Sequence, residues 1–195
     1  MQSLEKELIE RLLKRRIVVL FGEINARNLK DLKRNLLYLS SQSNEEIKIL
    51  IDTGGGDFED SLHFFDFLRI LKPPITGIVL DRCDSMGIIV LQACNTRLAT
   101  PYSHFLIHSI SLYFRFSSSE KRESLYKKFQ KRLEVTYANQ EIMNNLLIER
   151  TKLKKEELEE LIKKGNDHID IMPNVAKEAN LIDGIISDLK IDLTK

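Results

Sequence analysis

The run IKILID (47 to 52) stops at three glycines, Gly54, Gly55 and Gly56, and the next residue, Asp57, opens a helical pattern. A buried strand that ends in bare backbone and re-emerges as a helix confines the chain to a strand–turn–helix unit, with a turn other groups can approach closely. Asp57, with Asp60 three positions on, can cap the helix; Phe58, Leu62, Phe65 and Leu68 put one apolar face inward before Pro73 and Pro74 close it. The alternation recurs on both sides. IVVLFGEI (17 to 24) precedes the helical stripe Leu29, Leu32, Leu36 and Leu39, and ITGIVLD (75 to 81), the apolar SMGIIVLQAC segment and the short strands LATP and FLIH follow. Strands alternating with helices imply an α/β fold with a mainly parallel sheet and right-handed crossovers.

The 195 residues suffice for one domain with a sizeable core. Thirty Lys and Arg against twenty-nine Asp and Glu leave a net charge of +1, so no global field points to nucleic acid or a membrane as partner. No apolar stretch approaches the ~20 residues of a membrane span. The first 16 residues carry acids and no small-residue cleavage site; Leu4, Leu8, Leu12 and Leu13 recur at helical spacing instead. Cys83 and Cys94 form neither a disulfide framework nor a metal set and suit a reducing compartment, so the expected location is cytoplasmic.

From Ser119 to about Arg150 the composition shifts to a long charged helix striped by Leu125, Phe129, Leu133, Tyr137, Met143 and Leu147. Such a helix either projects as an arm against another subunit or folds back on its own core; the pattern leaves both open. KKEELEELIKK is a further charged helix, and NVAKEANLIDGII closes the fold with a short helix and strand.

Two features converge on chemistry. The glycine run at a helix start offers backbone N–H groups to an anion. DSMG after another strand puts Ser85 at a helix start near the carboxyl ends of the strands, where ligands of open α/β sheets bind. A serine there can attack a carbonyl while the Met86 amide and one from the glycine run face the oxyanion. Each part has a plainer reading: a tight turn, a helix cap at Ser85, a structural His108 at the end of FLIH. Together they are the parts acyl transfer requires.

In the order and spacing of FGEIN (21 to 25), ILIDTGGGDF (49 to 58), LKPPI (71 to 75), DSMG (84 to 87), RLATPYS (97 to 103), LIH (106 to 108) and AKEANLID (176 to 183), the chain resembles the proteolytic-subunit family of the Clp protease. These are serine peptidases of the Clp/crotonase fold, and the resemblance runs from about Leu13 to Ile186. It implies a repeated β-β-α/βαβ core with a projecting helical handle, in one domain over 1–195: an N-terminal helix (1–16), an α/β head (17–110 and 171–190) and a handle (111–165). It implies a serine endopeptidase without cofactor or metal, cutting unfolded proteins or peptides inside a self-assembled ring, a heptamer or stacked double ring. Ser85 falls on the family's nucleophile, His108 on its general base, and Gly56 and Met86 on its oxyanion hole.

Departures are equally specific. The family's proline before the paired glycines is Gly54, and its third catalytic residue, an Asp eight positions before Ala176, falls on His168. Asp167 is taken as the third member, with Asp170 and His168 as alternatives. The family's glycine-rich strand after the histidine is SISLYFRFSSS, where Leu112, Tyr113, Phe114 and Phe116 can form a strand that pairs with substrate backbone or the opposite ring, core packing being the competing reading. A helical N-terminus replaces the axial loop that meets a Clp-type ATPase, which weakens that partner. A weak or silent structural subunit, a crotonase-type acyl-CoA enzyme and a phage-type head-maturation protease are the other readings.

Overall fold

The β-branched runs are strands and the apolar stripes helices in the computed structural model, which describes residues 2–112, 114, 115, 117, 119–164 and 168–189. The elements in chain order are α1 (Gln2–Lys14), β1 (Ile17–Phe21), α2 (Ala26–Gln42), β2 (Ile47–Thr53), α3 (Phe58–Ile70), β3 (Ile75–Asp84), α4 (Met86–Gln92), β4 (Thr96–Ala99), β5 (His104–His108), α5 (Arg122–Arg150), α6 (Lys155–Lys164), β6 (His168–Ile171), α7 (Pro173–Glu178) and β7 (Gly184–Ile185). Strands β1, β2, β3, β4 and β7 lie side by side in that order, all parallel.

β3 serves two partners. Thr76 to Val79 pair with β4, whereas Arg82 to Asp84 pair with β5, which runs antiparallel to β6. Because side chains alternate along a strand, Ile47, Ile49 and Ile51 face the main core, while Leu50 faces a smaller cluster with Leu12 of α1, Ile17 and Ile78. The leucine stripe of α2 is buried as its spacing requires. Gly77 brings α4 onto β3: a Cβ there would lie 2.8 Å from Leu91 Cδ1 and 2.9 Å from Cys94 Sγ.

α3 departs from its expected face. Ser61, Phe64 and Leu68 are buried, while Phe58, Leu62 and Phe65 are only partly covered. The helix is apolar around most of its circumference, and Ser61 gains its place by donating its hydroxyl to Asp57 O at 2.6 Å. Asp57 caps α3 by accepting from the Asp60 amide, and the Asp60 carboxylate caps α2 by accepting from the Ala26 amide at 2.6 Å.

Arg97 ties the sheet to its surroundings. Its buried guanidinium donates to Asp183, to Gln92 Oε1 at 2.6 Å and to the carbonyls of Asn180 and Arg150. Burial alone would push the Asp183 carboxyl up, but the Arg97 hydrogen bonds and charge outweigh it and hold the carboxyl below its usual value.

α5 spans about 44 Å at 1.5 Å per residue. Its last turns dock through Met143, Asn144 and Leu147, while Tyr126, Phe129, Val135 and Tyr137 stay exposed. Of the two placements left open, its first part projects and its end folds back. None of the described residues from 109 to 117 belongs to a strand. Leu112 and Phe114 therefore correct the strand expectation, Phe114 instead meeting the Phe129 ring edge-on at 5.5 Å; Tyr113 and Phe116 lie outside the described residues. No helix among the described residues is long and apolar enough to cross a membrane.

Candidate active site

Ser85 occupies the sharp turn between β3 and α4, with φ 52° and ψ −126°. A non-glycine residue at positive φ is strained and persists only where its surroundings over-determine it. Here the Ser85 amide donates to Leu106 O at 2.7 Å, tying the turn to β5. The hydroxyl makes no capping bond to α4, which removes the plainer reading of this serine. Gly87 seats the first turn of α4, since a Cβ there would lie 2.6 Å from Thr53 Cγ2.

The glycine run packs beneath the turn. Gly55 has φ 87°, and a Cβ on it would come 2.7 Å from Ser85 Cβ and 3.1 Å from the Met86 amide nitrogen, so the two loops abut. Ile24 clamps the run from the far side: its amide donates to Gly55 O and its carbonyl accepts from Asp57, both at 2.8 Å. Thr53 fixes the near side, its hydroxyl donating to Gly22 O at 2.6 Å and accepting from the Gly55 amide at 3.1 Å. No acceptor among the described residues takes the amide of Gly56 or of Met86. The Gly56 and Met86 N–H groups and the Ser85 hydroxyl are thus each without a hydrogen-bond partner among the described residues.

His108 ends β5, two residues beyond the Leu106 carbonyl that holds Ser85. Its Nδ1–H donates to the Ser109 carbonyl at 2.6 Å, which leaves Nε2 as the acceptor nitrogen. Across the β5–β6 ladder His108 stands opposite His168, and Leu106 opposite Asp170. The segment is thus extended, so His168 and Asp170 share a face, and Asp170 reaches His104, its Oδ1 2.9 Å from His104 Nε2. Asp167 lies outside the described residues.

A family model of the Clp protease matches residues 2–188. The chain belongs to the Clp protease family. It is similar to the ATP-dependent Clp protease proteolytic subunit 2 of Treponema denticola, 36% identical over 104 residues that cover 52% of each chain. The matched stretch thus spans about half the length of that curated relative. A solved structure of a ClpP1 variant from Listeria monocytogenes superposes with a TM-score of 0.78 at 25% identity, covering 93% of this chain and 97% of the other. The expected Clp-type α/β fold is therefore found.

Within that family frame, three groups beside Ser85 escaped the sequence reading. Arg82 lies over the bare face of Gly54, where a Cβ would meet its guanidinium at 3.5 Å, and donates to the Asp84 carboxylate, which raises the guanidinium's pKa further. Asp84 is buried directly before Ser85, and His104 approaches it from β5. Only the β3–β5 register brings His104 to the Arg82–Asp84 pair. Cys83 and Cys94 are free and buried, and burial pushes both thiols up, Cys94 to about 12.

Proposed function

We propose that this chain is a ClpP-type serine endopeptidase, with Ser85 as nucleophile, His108 as general base and the Gly56 and Met86 amides as oxyanion hole. The observation that carries the reading is the strained Ser85 turn, its hydroxyl free of any cap, packed on the glycine run and fastened to the strand of His108. His108 Nε2 takes the Ser85 Oγ proton as Oγ bonds to the peptide carbonyl carbon, and the oxygen takes up the negative charge between the two amides. Collapse breaks the C–N bond, and the imidazolium gives its proton to the leaving amine. Water, deprotonated by the same histidine, then cleaves the ester and frees Ser85. The Ser109 carbonyl keeps Nδ1 protonated and so supplies the tautomer this sequence of steps needs.

Substrates are peptides or unfolded proteins, enclosed by self-assembly through the exposed apolar residues of α5; the near-neutral charge sets up no bulk repulsion between copies. The division into N-terminal helix, head and handle, the ring of seven or its stacked double, a Clp-type ATPase partner, the cytoplasmic location and the absence of a cofactor belong to the same reading. The test is exposure of the assembled protein to a fluorophosphonate, with the adduct located by mass spectrometry and peptide turnover measured in parallel. Label on Ser85 and turnover abolished in Ser85→Ala are expected; label elsewhere, or none, refutes the assignment.

A further inference from the structure

Three of the chain's four histidines lie on β5 and β6, and the proposed chemistry uses one of them. Residues of β5 alternate faces, so His104, Leu106 and His108 point to one side, and the antiparallel register adds Asp170 and His168 to that side. On the neighbouring strand His104 pairs with Arg82, two residues before Asp84. The result is a row of charged and titratable groups that begins at the residue preceding Ser85.

Asp84 is the unexplained member. Its side chain is 3% exposed, and Oδ2 accepts from Arg82 Nε at 2.8 Å. Oδ1 is buried without a hydrogen-bond partner among the described residues. A buried carboxylate oxygen left unpaired is costly and calls for a cause. His104 Nδ1, 3.4 Å away, is the ring nitrogen facing it, and His104 Nε2 lies 2.9 Å from Asp170 Oδ1. Asp170 Oδ2 in turn lies 3.8 Å from His168 Nε2. A neutral imidazole carries one N–H and serves one of the two carboxylates, its other nitrogen turning a lone pair to the second; the imidazolium serves both.

We propose that His104 is a positioning residue for Ser85: as an imidazolium it bridges Asp84 and Asp170, pinning the Ser85 turn to the β5–β6 pair that carries His108, and its deprotonation releases that turn. The proposal rests on the serine-peptidase reading above. It makes the site answer to two histidines of opposite requirement, His108 deprotonated and His104 protonated. Arg82 and Asp84 from β3 and Asp170 from β6 adjoin His104, and His168 of β6 and His108 lie farther along the same face of the β5–β6 pair.

The experiment measures the rate of fluorophosphonate labelling at Ser85 against pH in the assembled native protein, His104→Gln and Asp170→Asn, with the His104 ring followed by NMR. Asp170 is more than half exposed, so its variant tests the bridge without disturbing the buried groups. Native labelling is expected to rise and then fall with pH, the fall tracking the His104 resonance. Both variants should label about tenfold more slowly at the native optimum and lose the falling limb. Native and variant profiles that superimpose overturn the proposal alone. Slower labelling that keeps the falling limb also overturns it, because that is what a merely structural histidine gives. Native protein that takes no label at Ser85 overturns the peptidase reading and this proposal with it.

Discussion

Gly87→Ala separates steric positioning from every other contribution to the site. The backbone of Gly87 is helical, so alanine brings no conformational strain, and the new methyl meets one close neighbour, Thr53 Cγ2 at 2.6 Å; Cys83 Sγ and Thr53 O lie at ordinary distances of 3.5 and 3.8 Å. Carbon atoms settle about 3.5–4.0 Å apart, so the first turn of α4 must withdraw from Thr53 by about 1 Å. That turn carries the Met86 amide and follows Ser85. A displacement of about 1 Å at a reacting group costs about a hundredfold in rate, or about 2.7 kcal/mol of transition-state stabilisation. Overpacking should take a further 1–3 kcal/mol, roughly, from stability. Thr53→Ser deletes the clashing methyl and keeps the hydroxyl that bonds Gly22 and Gly55. The double variant should therefore recover most of the rate, and the coupling between the two sites should approach the size of the single Gly87→Ala defect. The assay is the rate of Ser85 labelling and of peptide turnover, with thermal melting alongside. Gly87→Ala protein that labels at the native rate, or a double variant no better than the single, refutes the argument.

Asp183→Asn should lower stability by about 1–2 kcal/mol, discounted because the Asp183 side chain is 36% exposed. Since Arg97 depresses the folded-state carboxyl, its contribution is complete above the unfolded value near 3.9 and is lost as pH falls through the lower folded value. Melting temperatures of native and variant protein should therefore converge in acid, and a gap of constant size would refute the ion pair as the cause. Cys83 and Cys94 should resist alkylation at neutral pH until the protein unfolds, because burial withholds both thiolates; stoichiometric modification of native protein would contradict this. Asp167→Asn should change the Ser85 labelling rate less than tenfold if the Ser109 carbonyl sets the His108 tautomer, and a loss near the ~10⁴-fold of a triad carboxylate would instead make Asp167 the third member.

Elements whose apolar residues recur at a single period were legible in the sequence. α2 buries Leu29, Leu32, Leu36 and Leu39, the four its spacing singles out. α3 was legible as a helix but not in its orientation, because Phe58, Phe64, Phe65 and Phe67 surround it and only packing chooses among them. β6 is four residues with two exposed polar side chains, and its extended form comes from pairing with β5 rather than from its own composition. The same distinction divides the site. Ser85, Met86 and the glycine run each sit at a strand-to-helix turn marked by local residues, whereas Asp84, His104 and Asp170 meet only through strand register, across 20 and 66 positions of sequence. No local pattern encodes that meeting.

A triad carboxylate does two separable things: it holds the histidine tautomer, and its charge stabilises the imidazolium formed in the transition state. On the present reading the Ser109 carbonyl performs the first at 2.6 Å and, being neutral, supplies less of the second. The position opposite His108 does not make up the deficit, for it holds His168 and no carboxylate. Cβ atoms of directly opposed residues lie roughly 4.5–5.5 Å apart, within reach of a short carboxylate to the facing ring. His168→Asp should therefore return a negative charge to His108 and release Nδ1 from Ser109. If the missing charge limits the reaction, the variant labels Ser85 and turns over peptide at least about tenfold faster, an effect of about 1.4 kcal/mol and well inside the ~10⁴-fold that a buried triad carboxylate contributes. The gain should fade in acid as the new carboxylate protonates. A folded His168→Asp protein that reacts no faster shows that charge at His108 is not what limits the rate, and the backbone carbonyl would then suffice for both tasks.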